Sequence, residues 1–445
     1  MNNKTNFGKN NWIVLILFGL VGQIAWSVEN MYFNLFVYDT VYNKNLDAIT
    51  LMVQLSGIVA TVTTLVAGAL SDKLGNRRRF ISLGYAIWGV TVALFGYISP
   101  ELIAQIFNVD VERAVSIALV SVIVGDCVMT LFGSTANDAC FNAWVTDNTR
   151  PDFRGTVESV LTVMPLIAML IVVGGFGMLV SSIGYSAVFL LLGIIISACG
   201  IVGMFVIKDS DRLEKNGTLA DIFYGFRPSV IKGNSTLYVS LIIVLIYGVA
   251  CQIFMPYLII YMRESLNFSV LEYSAVFAVA ILVGAAINLY LGRLSDKMNK
   301  TRLLYVAAGI MAIGLFAMYL SRGMSHVANL LIFGISGFVM ITGYIFVSAL
   351  TGAIVRDNTP VESAGKLQGV RMVFSVLIPM IVGPMIGGAI NKAMNIPLEN
   401  AGADAMTTEY RPAPEIFLAG ALVACLMLVF IYVLSKTEEK KKNNA

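Results

Sequence analysis

Four charged side chains stand inside long apolar stretches of this 445-residue sequence. They are Glu29, Asp126, Asp138 and Arg371. A charge inside a lipid-spanning helix costs roughly 2.5–3.5 kcal/mol on the insertion scale, so such residues usually mark a functional pathway. Because burial favours the neutral form of a carboxyl group, we expect the acids to take up and release protons. The alternative is a fixed ion pair between an acid and Arg371 that joins two helices.

Polar residues in the first apolar stretch recur at helical spacing. Gln23, Ser27, Asn30 and Asn34 are separated by four, three and four residues, which places them on one helix face, and Trp26 lies beside them. Amides hydrogen-bond to hydroxyl groups, and an indole stacks on the apolar face of a sugar ring. We predict that this face binds a small polar solute. The alternative is hydrogen bonding between helices, worth about 0.6–2 kcal/mol per contact.

Further polar and tyrosine side chains extend the predicted solute site to other apolar stretches. They are Asn142, Gln252, Tyr257, Asn288 and Tyr344. Each of the second-half residues, taken singly, is more often a packing residue than a ligand contact. Arg371 has three possible roles: pairing with an acid, binding an anionic group, or closing a gate.

The composition requires a solvent other than water. Hydrophobic residues make up 58% of the chain and charged residues 13%, against about 45–50% and about 25% in soluble domains, and the mean hydropathy is +0.80. So few charges cannot cover water-facing surfaces, so we predict a chain embedded in lipid. The net charge of +3 provides no basic field for nucleic acid. With one histidine and no paired cysteines, we expect neither a metal nor a cofactor.

Apolar stretches of about 20 residues predict membrane helices. The sequence has twelve: 12–38, 48–71, 80–99, 114–144, 156–180, 185–207, 236–262, 270–294, 302–321, 326–355, 367–390 and 414–435. One set of alternate loops and termini holds 23 of the 30 Lys and Arg residues, and the other set holds six. This asymmetry predicts that both termini are cytoplasmic, and we expect the inner membrane.

Two internal repeats divide the chain. GALSDKLGNRRR begins at Gly68 and GRLSDKMNKTR at Gly292, 224 residues later, while VTDNT and VRDNT are 210 residues apart. Similar offsets predict two halves of like topology, as in carriers that rock around a central site. The predicted divisions are a bundle at 1–207, a connection at 208–235, a bundle at 236–435 and a charged tail at 436–445.

The first repeat carries a known motif. Its residues are Gly68, Asp72, Lys73, Gly75, Arg77 and Arg78. The pattern resembles the loop 2–3 signature of the major facilitator superfamily, and the copy with Gly292, Asp296 and Lys297 is degenerate because Asn299 replaces the second glycine. The resemblance implies an all-α membrane protein with 12 transmembrane helices in two pseudo-symmetric six-helix bundles. It also implies a cytoplasmic gate whose charges tie the halves together in the outward-open state.

A narrower resemblance concerns the solute. The stretch DACFNAWVTDNTRPDFRG from Asp138 resembles the end of helix 4 in the glycoside–pentoside–hexuronide:cation symporters, and SDKLGNRRRFI resembles the matching loop of sucrose/proton symporters. These resemblances imply sugar uptake coupled to a cation. Melibiose-type members carry two aspartates on helix 2 where this chain has Ala60 and Thr64, so we expect H⁺ rather than Na⁺ as the coupling ion.

We therefore predict a secondary active transporter, acting as a monomer, that takes up a sugar or glycoside with protons by alternating access. The alternative is an exporter of drugs or other amphiphiles. An enzyme is not indicated, because the sequence has no Walker loop, HExxH or GxSxG motif and no soluble domain.

Overall fold

The computed structural model describes residues 7–41, 46–149, 154–210, 219–295, 298–321, 325–360, 367–397 and 410–443. These residues are almost all helical. One antiparallel pair of two-residue strands, β1 (Ile396–Pro397) and β2 (Tyr410–Arg411), pairs Ile396 with Arg411. Contacts divide the chain into two compact units, unit 1 (Met1–Tyr42 and Ile58–Asp221) and unit 2 (Asn43–Gly57 and Ile222–Ala445).

Unit 1 contains six helices and most of a seventh. They are α1 (Lys9–Val41), α2 (Asp47–Leu74), α3 (Arg77–Phe95), α4 (Pro100–Phe107), α5 (Val111–Asn148), α6 (Arg154–Ile171) and α7 (Gly177–Val206). The part of α2 up to Gly57 belongs to unit 2. Helices α3 and α7 approach closely because a Cβ atom on Gly89 or Gly193 would meet the backbone of the other helix.

Besides Asn43–Gly57, unit 2 runs from Ile222, within a 3₁₀-helix (Leu219–Phe226), through seven helices. They are α8 (Pro228–Gly233), α9 (Ser235–Ser265), α10 (Val270–Ser295), α11 (Lys300–Leu320), α12 (His326–Asn358), α13 (Gln368–Met394) and α14 (Glu415–Asn443). Glycines again set the closest approach, since Gly314 of α11 and Gly343 of α12 each lie against the partner helix's backbone.

Ten helices among the described residues are long and apolar enough to cross a membrane, or eleven if α3 and α4, bent by 89°, form one span. The 44 residues of Val163–Val206, which join the second half of α6 to all of α7, count as a single span. Gly184 in α7, at φ 79° and ψ 164°, interrupts the helix. An unbroken helix of that length would reach roughly twice the hydrocarbon thickness of about 30 Å. The prediction of an all-helical, multi-pass membrane chain is confirmed, whereas twelve spans and cytoplasmic termini stay predictions.

Several membrane helices contain π turns, which place one extra residue in a turn. They lie at Glu29–Phe33 and Val37–Val41 in α1, at Ser134–Phe141 in α5, at Tyr261–Ser265 in α9 and at Val373–Leu377 in α13, and a further one, Val172–Phe176, joins α6 to α7. Each extra residue rotates all later side chains around the helix axis relative to a 3.6-residue repeat. Such turns occur frequently at functional sites, and here two of the segments contain Glu29 and Asp138.

Candidate functional site

Helices α1 and α5 carry two buried carboxyl groups in the interior of unit 1. Glu29 and Asp126 are both buried. Thr130, one turn after Asp126, donates its hydroxyl to Glu29 Oε1 at 3.1 Å. Both acids also lie within electrostatic range of the Cys127 thiol. Two negative charges in an apolar interior are unfavourable, so protonation or a bound cation would stabilise this arrangement.

A third acid, Asp138, lies further along α5 and is only half-buried. Its Oδ2 accepts a hydrogen bond from the Ser134 hydroxyl at 3.0 Å, and the Trp26 indole of α1 lies beside the same carboxyl group. The Trp26 ring in turn contacts that of Trp88, with 5.0 Å between centroids. A Cβ on Gly133 would meet both indoles, so this glycine makes room for the pair.

A buried hydrogen-bonded group fixes the helices behind this acid. Asn137 Nδ2 donates to the Tyr85 hydroxyl at 2.6 Å, and Tyr85 donates to the Phe18 carbonyl at 2.7 Å. The three residues join α5, α3 and α1. Sequence analysis did not identify Tyr85, Trp88 or Asn137 as site residues. The available signals were the position of Asn137 next to Asp138 and the helical i, i+3 spacing of Tyr85 and Trp88.

The predicted polar face of α1 is only partly present. Gln23, Trp26 and Ser27 are half-buried and Asn30 is exposed. Asn34, by contrast, is 1% exposed, and its side-chain amide donates to the Asn30 carbonyl at 2.8 Å. The π turn at Glu29–Phe33 explains the difference, because it rotates Asn34 away from the face that 3.6-residue spacing predicts.

The predicted residues of unit 2 divide into buried and half-buried ones. Tyr257 is fully buried, and its hydroxyl lies 2.6 Å from the Thr50 hydroxyl. Gln252 is half-buried against Gly383 of α13. Tyr344 is also half-buried, with its ring 5.5 Å from that of Tyr247. Tyr257 therefore occupies a packing position, whereas the other two remain partly accessible.

The remaining predicted residues of unit 2 give less information. Arg371 is exposed in the first turn of α13. Asn142, the unit 1 residue one turn beyond Asp138, is also exposed. Asp296 and Lys297 lie outside the described residues, as do the side-chain surroundings of Asn288 and Gly292.

The motif between α2 and α3 is organised around a buried guanidinium group. Arg77 forms an ion pair with Asp72, bonds to the Ser71 hydroxyl, and donates from Nε to Asp147 Oδ2 at 3.1 Å. These partners lie on α2 and α5, within unit 1. The guanidinium therefore joins the ends of two helices in the same unit.

The other motif residues form the turn. Gly75 has φ 62°, a left-handed conformation that glycine adopts without strain. Lys73 and Arg78 have exposed side chains, and the backbone N–H of Arg78 donates to Asp209 at 2.9 Å. A Cβ on Gly68 would meet nothing within 4 Å, so no close contact with the part of the chain that the structure describes requires glycine there.

The repeat is visible as matching helix ends in the two units. Asn76 caps α3 and Asn299 caps α11, each accepting a backbone N–H of the first turn. Lys300 Nζ lies 2.6 Å from Asp357 Oδ2, which places a cation from the start of α11 on the aspartate of VRDNT. The arginine–aspartate pair of unit 1 makes the corresponding connection between α3 and VTDNT.

The DNT sequences end the two corresponding helices in the same way. Asn148 and Thr149 donate to the carbonyls four residues earlier, at 2.9 and 2.6 Å. Asn358 and Thr359 do the same, also at 2.9 and 2.6 Å. The sequence echo thus encodes a repeated helix terminus.

Comparisons with known proteins agree with this repeated helical architecture. No curated protein sequence matches the chain. Among solved structures, a mutant of the nucleoside transporter NupG has a TM-score of 0.69 at 11% identity, covering 95% of this chain and 99% of that one. A bacterial homolog of the human lysosomal transporter Spinster has a TM-score of 0.68 at 13% identity, with coverages of 97% and 98%.

The xylose transporter XylE from E. coli has a TM-score of 0.65 at 14% identity, covering 94% of this chain and 98% of its own. At such identities the likeness establishes the fold alone. A match to the Major Facilitator Superfamily extends over residues 12–384. Because that match spans most of the chain, the protein belongs to the major facilitator superfamily of membrane transporters.

Proposed function

We propose that this protein is a secondary active transporter that imports a sugar or glycoside together with protons. The observation that carries the proposal is the arrangement of acids in unit 1. Glu29 and Asp126 are buried with a threonine hydroxyl between the helices, while Asp138 lies half-buried beside Trp26. One region is suited to holding a proton, and the other offers a polar and aromatic surface to a solute.

The solute surface has the chemistry that a hydroxylated ring needs. The carboxyl of Asp138 and the polar groups of Gln23 and Ser27 hydrogen-bond to hydroxyls, and the Trp26 indole offers an apolar face. Contact with Trp88 holds that indole in place before binding, which reduces the entropy lost on binding. Two similar structures are described as transporters of a nucleoside and of xylose, both solutes with a hydroxylated ring, which supports this class.

Protons are the proposed coupling ion. Glu29, Asp126 and Asp138 are carboxyl groups in a membrane interior, and each can exist in a neutral form that is cheaper to bury than its anion. Ala60 and Thr64 occupy the positions where melibiose-type carriers have aspartates. The second helix therefore lacks the acidic pair that would bind Na⁺ in those carriers.

The helix-end network around Arg77 is the proposed cytoplasmic gate. Ion pairs and capping contacts that differ between two conformations shift the equilibrium toward the one that they stabilise. Arg371, exposed at the start of α13, is proposed to take part in gating or coupling.

Uptake into proteoliposomes tests the solute class. We expect saturable counterflow with at least one member of a panel of monosaccharides, disaccharides and nucleosides. No transport of any panel member, together with expulsion of a lipophilic cation, would refute the sugar proposal and favour the amphiphile exporter.

Coupling is tested separately with Glu29→Gln, Asp126→Asn and Asp138→Asn. For one proton per solute, a pH difference of one unit drives at most about tenfold accumulation. We expect at least one of these variants to equilibrate the solute without accumulating it, while counterflow persists. Glu112→Gln, at the exposed start of α5, is the matched control and should accumulate normally. Normal accumulation by all three variants would remove these acids from the mechanism.

A further inference from the structure

A short segment in front of α9 exposes large apolar side chains. We call residues 223–233 the surface segment. Phe223 is 69% exposed, and Phe226 and Ile231 are exposed as well. Two phenyl rings and an isoleucine facing water would be unfavourable, so this face is expected to contact something apolar.

The same segment also exposes positive charge. Arg227 and Lys232 are exposed between and beside the apolar side chains, and the surface segment contains no acidic residue. The Arg227 guanidinium lies 5.6 Å from the centroid of the Tyr224 ring. Apolar side chains flanked by basic ones are typical of segments that lie in a membrane interface.

Other residues of the surface segment pack against the helices of unit 2. Tyr224 and Val230 pack on a core that includes Leu237 of α9 and Val370 of α13. The Tyr238 hydroxyl donates to a backbone carbonyl of the segment. The segment is therefore fixed on the helices through Tyr224 and Val230, while Phe223, Phe226 and Ile231 stay exposed.

These contacts also give the level of the segment relative to the membrane. Leu237 lies in the first turn of α9 and Val370 in the first turn of α13. Both helices are candidate membrane spans. A segment packed on the ends of membrane helices lies where the hydrocarbon gives way to headgroups. In the predicted orientation, this boundary belongs to the cytoplasmic leaflet.

We propose that the surface segment docks on the bilayer and binds anionic phospholipid headgroups. Arg227 and Lys232 contact the lipid phosphates, and Phe223, Phe226 and Ile231 enter the acyl boundary. Basic side chains near an anionic leaflet add to the binding independently of any solute. Because the segment packs on Val370, the residue before Arg371, bound lipid stabilises the end of α13. The proposal requires only membrane insertion and does not depend on the transported solute or the coupling ion.

Hydrogen–deuterium exchange on the full chain in nanodiscs tests this docking. Discs of phosphatidylcholine alone are compared with discs containing one-third phosphatidylglycerol. We expect the amides of the surface segment to exchange roughly 5- to 30-fold more slowly in the anionic discs, as expected for one or two basic contacts. The double variant Arg227→Gln/Lys232→Gln should lose this difference. Arg302→Gln, which removes an exposed basic side chain from the start of α11, should keep it.

Three outcomes would overturn the proposal. The first is equal exchange of the surface segment in both kinds of disc. The second is a lipid difference that survives in the double variant. The third is equal protection in phosphatidylcholine discs on addition of free glycerol phosphate, which would assign the site to a soluble anion. The double variant Phe223→Ser/Phe226→Ser tests whether the phenyl rings enter the acyl boundary. In phosphatidylcholine discs its surface segment should exchange faster than that of the parent chain. Equal exchange in the two would refute insertion of the rings. Unaltered exchange in α11 and α12 verifies that each variant is folded.

Discussion

The two ion pairs at corresponding helix ends should contribute unequally to stability. In unit 1, the side chains of Arg77 and Asp147 are 6% and 23% exposed, with 3.1 Å between the paired atoms. In unit 2, Lys300 and Asp357 are 34% and 55% exposed, with 2.6 Å between them. Burial therefore favours the Arg77–Asp147 pair, whereas the shorter distance favours the Lys300–Asp357 pair. A comparison of the two coupling energies separates the effect of burial from that of distance.

Burial is expected to decide. Hydrogen bonds to charged groups contribute about 1.5–3 kcal/mol when shielded, whereas exposed pairs contribute about 0–1 kcal/mol. Asp72 and Ser71 also bond to Arg77, so they keep the guanidinium partly satisfied when Asp147 is lost. We therefore expect a coupling energy of about 1–2 kcal/mol for Arg77–Asp147 and below about 0.5 kcal/mol for the pair in unit 2.

Double-mutant cycles measure these coupling energies. Arg77→Ala, Asp147→Asn and their combination are compared with the matching set at Lys300 and Asp357, by unfolding in detergent. Arg79→Ala is the control, because its side chain is exposed and only its backbone N–H serves the helix cap. It should change the free energy of unfolding by less than about 0.5 kcal/mol.

A native thiol reports on the same network. Cys140 is fully buried and lies near Ser71 and Arg77. Loss of the guanidinium should accelerate alkylation of Cys140, as measured by mass spectrometry, and Arg79→Ala should not. Equal coupling energies in the two units, a larger value in unit 2, or unchanged Cys140 alkylation in Arg77→Ala would refute the reasoning.

Three further predictions concern stability, each measured as the free energy of unfolding in detergent. Thr130→Val removes the hydroxyl that donates to Glu29 and should destabilise the protein by about 1–2 kcal/mol. Thr130→Ser keeps a hydroxyl at this position and should retain most of that stability. Gly193→Ala should cost about 1–3 kcal/mol, because its Cβ would meet the backbone of α3. Gly174→Ala is the control and should be nearly neutral, since a Cβ there meets no described atom within 4 Å. Equal effects of the two substitutions would contradict the packing argument. Tyr257→Phe should cost about 0.5–1.5 kcal/mol through loss of its hydroxyl contact with α2, and no change would mean that this contact does not stabilise unit 2.

The helical, membrane-embedded architecture could be predicted from the sequence because it depends on composition and on the lengths of apolar stretches. Repeats such as VTDNT and VRDNT predicted internal symmetry, and the structure gives them a physical meaning as repeated helix ends. The direction of individual side chains could not be predicted in the same way. Asn34 illustrates the reason, since a π turn leaves no reliable mark in the sequence yet changes the face on which every later residue lies.

Supporting residues were the hardest to predict. Tyr85 and Asn137 are ordinary residues in apolar stretches, and their importance arises only from their hydrogen bond across two helices. Tyr257 is a related case, because a tyrosine predicted to line a wet cavity is buried with its hydroxyl 2.6 Å from that of Thr50, and its contact with a solute stays a prediction. Long-range pairing determines both cases, and periodicity within one helix contains no information about it.

The two units share their helix ends but differ in their intramembrane chemistry. Ser336 and Ser348 stand 210 residues after Asp126 and Asp138, the same offset that relates the two DNT sequences. Ser336 is buried and bonds to carbonyls of its own helix, as a helical serine commonly does. A serine hydroxyl does not ionise near neutral pH, so it cannot gain and lose a charge as a carboxyl group does. If protons drive transport, the serines at these two positions of unit 2 cannot take the part proposed for Asp126 and Asp138, a difference that the symmetric helix termini alone would not reveal.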